Sequence, residues 1–136
     1  MKPNHEEMRN ILIEFQKSIK LVTTITDLKS SGFNIANSEF LFNLDLLAEY
    51  GFIESYSSRT RDLGIKYSPD AQQLTIHELP LRITANGHEY LANLQEDGVW
   101  EHIKKDFKES SVDTIKKVSK ELVSNIIKKK LEPFLK

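Results

Sequence analysis

The run Leu81-Arg82-Ile83-Thr84-Ala85-Asn86-Gly87-His88-Glu89-Tyr90-Leu91 constrains the fold more than any other stretch of this chain. Leu81 and Ile83 alternate with Arg82, as in a strand with one buried face. Thr84 then stands where a helix cap belongs, and an amphipathic run follows. A strand therefore feeds straight into a helix. Upstream, Phe40 to Ile53 reads as an apolar helix stopped by Gly51 and followed at once by a strand start. The two joins enclose a polar stretch and together predict helices closed by a β-hairpin.

The remaining elements follow from periodicity. Met8, Ile11, Leu12, Phe15 and Ile19 recur at three- and four-residue steps and predict a first helix over Asn4 to Ile19, with Glu6 and Glu7 at its positive end. Thr24 and Asp27 have capping-box spacing for a short helix over Thr24 to Ser30, broken by Ser31-Gly32. A third helix spans Asn37 to Tyr50, with Phe40, Leu44 and Leu47 on one side. Residues 54–72 are polar and irregular and read as a long loop or a strand with a mobile tip. Gln73 to Ile83 reads as a second strand, edge or bulged at Pro80. A fourth helix runs from Thr84 to Asn93 and another from Val99 to Lys108, with Tyr90, Leu91, Leu94, Trp100, Ile103 and Phe107 facing inward. The last spans Val112 to Leu131, capped by Ser111, with a stripe of Val112, Ile115, Val118, Leu122 and Ile126.

Helix, turn, helix, strand is the order of a winged helix-turn-helix. The expected class is mainly α with a small β-hairpin, α+β, with extra C-terminal helices. Residues 1–110 are expected to form the winged helix domain, its wing at about 52–83, and residues 111–136 an amphipathic helix packed on that domain or on a second copy.

With 136 residues the chain has one domain's worth of core. It has no apolar run of about eighteen residues, so no membrane span is expected, and the N-terminus lacks a secretory pattern. The absence of cysteine fits a cytoplasmic setting. Charge is asymmetric: residues 1–99 carry 9 basic and 14 acidic side chains, residues 100–136 carry 10 lysines and 6 acids. A body of that sign lowers the expectation of tight DNA binding, which draws on phosphate neutralisation.

The run Leu41 to Ile53, the block Leu81 to Leu91 and the sequel Asp97-Gly98-Val99-Trp100 before a lysine-rich helix resemble the bacterial and phage family called domain of unknown function 2513. The resemblance covers nearly the whole chain and is most specific from Arg82 through Trp100. It implies a winged-helix-like fold and regulatory work, and transfers no catalytic residue. Family members often carry histidine where this chain has Asn43.

Two surfaces are candidates. For nucleic acid, Arg59, Arg61 and Lys66 cluster on the wing, Lys29 could touch backbone, and Ser38 and Asn43 lie on the third helix. For a protein partner, the same helix offers Phe42, Asp45, Leu46 and Glu49, and its two carboxylates would repel a duplex. The lysine-rich last helix reads as packing, with no membrane role, and a homodimer through the terminal helices is expected. His5, His77, His88 and His102 show no ligand spacing, and His88 is expected to pack against the wing. No nucleophile elbow or glycine-rich phosphate loop is present, so neither an enzyme, a cofactor nor a metal is expected. The reading is a DNA-binding regulator; the alternative is an interaction module without DNA binding.

Overall fold

The computed structural model describes residues 1–135. In it, each of the first three helices begins at a residue whose side chain takes up a free backbone N–H. Asn4 caps α1 (His5–Lys17), accepting from the Glu7 N–H. Thr24 and Asp27 form a reciprocal capping box on α2 (Ile25–Ser30). Asn37 caps α3 (Ser38–Glu49) by accepting from the Phe40 N–H.

Glycine ends two of them. Gly32 and Gly51 have φ of 104° and 73°. After α3 the Gly51 N–H donates to the Ala48 carbonyl and the Phe52 N–H to the Leu47 carbonyl. That paired closure also follows α2, with Gly32 donating to Lys29 and Phe33 to Leu28. Phe52 leaves the turn buried against Tyr90, ring centroids 4.4 Å apart.

The chain then enters β1 (Ile53–Ser55), which pairs antiparallel with β4 (Leu81–Ile83); Ile53 faces Ile83, Glu54 faces Arg82 and Ser55 faces Leu81. On the other side of β4, Thr23 and Leu81 exchange two backbone hydrogen bonds of 2.8 Å. Thus β4 lies between β1 and the segment before α2. The polar stretch between β1 and β4 is not irregular throughout. It holds β2 (Ile65–Tyr67) and β3 (Leu74–Ile76), a second antiparallel pair with Ile65 opposite Ile76. The expected single strand over Gln73–Ile83 is accordingly two strands, divided at His77–Pro80. The divide is physical: Pro80 has no N–H to donate, and Glu78 leaves the strand line to bond Thr26.

Thr84 caps α4 (Ala85–Gln95), and α5 (Val99–Asp106) and α6 (Val112–Leu131) follow, with a short 3₁₀ turn at Glu132–Phe134. The class is α+β, six α-helices and two small sheets among the described residues. The core joins Met8, Ile11, Leu12 and Phe15 of α1 to Phe40, Leu44 and Leu47 of α3, and to Leu81, Leu91, Leu94, Ile103 and Ile115. Ile19 departs from expectation. The helix stops at Lys17, because Ser18 turns to extended backbone (ψ 132°), and Ile19 is fully exposed.

Gly87 explains the tight strand-to-helix join. A Cβ there would lie 2.1 Å from the Phe52 carbonyl oxygen and 2.8 Å from Ile83 Cγ1. His88, expected against the hairpin, instead faces solvent; the inward position is its glycine neighbour. Among the described residues no helix is long and apolar enough to cross a membrane.

Candidate functional site

The outward side of α3 and the β2–β3 hairpin form one continuous surface. They join through a small cleft of about 120 Å³ lined by Leu41, Asp45, Arg61, Leu63, Ile65 and Tyr67. Leu63 and Leu41 are both buried. The base of the hairpin is therefore seated on α3 at Leu41 and Asp45. Burial, with the Asp45 carboxylate close by, raises the Tyr67 hydroxyl above its usual pKa.

Asp45 and Glu49 are exposed on this face, as is Ser38 at the start of α3. Phe42 is half-buried; Leu46 is half-buried and packed on the core, so the apolar part of the partner candidate rests mainly on Phe42. Asn43 is not on this face. It is wholly buried, with its Nδ2 donating to Glu7 Oε2 at 2.9 Å and its Oδ1 accepting from the Asn4 N–H at 3.0 Å. A contact from Asn43 to nucleic acid is ruled out, because the α1–α3 packing encloses it.

The cations of the hairpin are spread apart and largely matched. Arg59 has left-handed backbone (φ 56°). Its guanidinium lies 4.7 Å from the Tyr56 ring and 3.8 Å from Glu54 Oε1. Glu54 also takes Arg82, its cross-strand neighbour, at 2.5 Å. Lys66 lies 3.6 Å from Asp62, and Asp62 is held below its usual pKa, first by the Gly64 N–H. Arg61 faces the cleft beside Asp45, and Lys29 is exposed on α2. Neither makes an ion pair among the described residues. Over residues 24–83 there are five basic and eight acidic side chains. That segment as a whole is acidic.

Sequence reasoning missed Leu63, Ile65 and Tyr67, which seat the hairpin on α3. The alternation of Leu63, Ile65 and Tyr67 carried the signal, but the polar residues on either side masked it. A second cleft, of about 730 Å³, lies between the N-terminal residues Met1–Glu6, Glu39 of α3, and Trp100, Ile103 and Lys108. His5 is buried at its edge and donates from Nε2 to the Ser110 carbonyl at 2.6 Å. Its rim carries acids and lysines in equal number, so no ligand sign is selected. No group of three metal-ligating side chains occurs among the described residues.

No curated protein and no solved structure matches the chain. One family model does, described as Hypothetical protein (DUF2513), and it spans residues 2–113, from just before the α1 cap through the first two residues of α6. With most of its length so matched, the chain belongs to that family.

Proposed function

We propose that this chain is a winged-helix interaction module whose α3 and hairpin bind a protein partner. In this reading β1 and β4 are the wing strands, the Thr23 segment is the third strand of the small sheet, and β2–β3 is an extension of the wing. The observation that carries the reading is the acidic outward face of α3: Asp45 and Glu49 stand beside the half-buried ring of Phe42. A groove-reading helix presents donors to base edges and phosphates, whereas carboxylates there favour a basic partner. The matched cations of Arg59, Arg82 and Lys66 leave little charge for phosphate.

A second reading, a DNA-binding regulator of bacterial or phage origin, is favoured by the element order and by Arg61 and Lys29, the two cations of this region without an ion pair. One pair of measurements separates them. A photo-cross-linking residue at Phe42 should capture one protein species in cells, and Asp45→Lys with Glu49→Lys should abolish that capture. In parallel, anisotropy of a mixed-sequence duplex at low salt should not change. Salt-dependent DNA binding that Arg61→Glu removes would replace the first reading with the second.

A further inference from the structure

We infer that the distal end of α6 is a self-association surface that pairs antiparallel with α6 of a second copy of this chain. The inference is independent of the function proposed above.

The first half of α6 is committed to the body. Val112, Ile115 and Ser119 are buried, and Val118, Leu122, Val123 and Ile126 pack on the core. Beyond Ile126 the apolar residues are exposed or only half covered. Ile127, Leu131, Phe134 and Leu135 are 50%, 46%, 82% and 78% exposed. Ile127 and Leu131 lie one turn apart on α6, and Phe134 and Leu135 follow at the 3₁₀ turn that closes it. Their exposed apolar area is roughly 500 Å², within the range of the largest patch on a monomer, which is often a contact surface. Two such patches together bury roughly 1,000 Å², the lower limit of a specific interface. A second copy therefore suffices to cover the patch, in a weak, micromolar dimer. α1 offers no alternative surface, since Met8, Ile11, Leu12 and Phe15 are spent in the core.

Charge fixes the direction. Lys128 and Lys130 flank the patch. Parallel pairing sets the two lysine runs side by side. An antiparallel crossing near Leu131 sets each run beside Glu132 of the other copy. An anionic lipid surface also fits a basic, apolar helix end. Against it, only the residues past Ile126 are free to enter lipid, and the body that carries α6 has 14 acids to 9 bases over residues 1–99. That body is repelled by anionic lipid.

Sedimentation equilibrium of the full chain across the micromolar range tests this. The expected result is a mass rising from monomer to dimer, with Leu131→Asp plus Phe134→Asp weakening association at least tenfold and leaving the circular dichroism melt unchanged. Ile19→Asp, at a fully exposed site just past α1, should leave association intact. Because the chain has no cysteine, mixing Ile127→Cys with Leu135→Cys should cross-link the two variants to each other. Cross-links only within each variant would overturn the antiparallel arrangement. A monomer throughout, a dimer indifferent to the double aspartate, or binding to phosphatidylserine vesicles without self-association would each overturn the proposal.

Discussion

The side-chain amide of Asn43 donates to Glu7 Oε2 at 2.9 Å from a position with no solvent exposure. Through its oxygen the same side chain receives the Asn4 N–H, and Asn4 in turn caps α1 and donates to Glu39. One amide thus holds the start of α1 against the middle of α3. Asn43→Ala leaves two partners without their bond and opens a void, and should cost about 2–3 kcal/mol. A urea titration measures it. A loss under about 1 kcal/mol would mean that water replaces the amide and that the contact is not structural.

Gly87→Ala should be far more damaging than Gly51→Ala. At Gly87 the new Cβ meets the Phe52 backbone oxygen at 2.1 Å, and backbone cannot yield as a side chain does. The α4 start must shift off β1, at about 3 kcal/mol or more. At Gly51 nothing lies within 4 Å, and only the left-handed φ of 73° is penalised, at about 1 kcal/mol. Thermal melts of the two variants should differ by several degrees; equal melts would disprove the close approach.

Glu78 makes stability fall in acid. Its carboxylate accepts from the Thr26 hydroxyl and, at 3.2 Å, from the Thr26 N–H in the first turn of α2. Its pKa is lowered, first by that hydroxyl. Asp27 is lowered too, first by the Thr24 N–H. Folding therefore favours the charged forms. Their stabilisation is complete at neutral pH and is lost as pH drops through the carboxylate range, below about pH 5. Both groups are well hydrated, so the slope is shallow. The midpoint of thermal unfolding should hold from neutral pH to about pH 5 and then decline, and Glu78→Gln should flatten part of that decline. An unchanged acid slope in the variant would remove Glu78 from the account.

What could be read in advance was local. The caps at Thr24, Thr84 and Ser111, and the stop at Gly51, act within one turn of chain, so residue type alone reveals them. Ile19 misled because its spacing matched a helix that Ser18 had already ended. The β2–β3 pair escaped notice for another reason. Each strand has three residues, and the pair is held by Leu63 and Ile65 against Leu41, some twenty residues earlier in the chain. Asn43 is the same kind of case: its burial is decided by how α1 lies on α3, which no periodicity of α3 records. The acidic side of α3, in contrast, was legible because Asp45 and Glu49 fall opposite Phe40, Leu44 and Leu47 on any helix built from these residues.

Thr84 joins the two halves of the signature stretch through one hydroxyl. Its Oγ1 accepts from the Gly87 N–H at 3.0 Å and donates to the Gly51 carbonyl at 2.5 Å, while its own N–H donates to the Phe52 carbonyl at 2.9 Å. The cap of α4 and the end of α3 therefore share an atom. Thr84→Val keeps the shape and the backbone bond but removes both hydroxyl bonds, at about 1–2 kcal/mol. Thr84→Ser should recover most of that, since it restores the oxygen. Native-state hydrogen exchange adds a reading that a general loss of packing would not produce: the Gly87 amide should exchange faster in Thr84→Val relative to the amides of α1. If Gly87 and α1 accelerate together, the hydroxyl is a passenger, and the join is held by Phe52 and Ile83 against Gly87 alone.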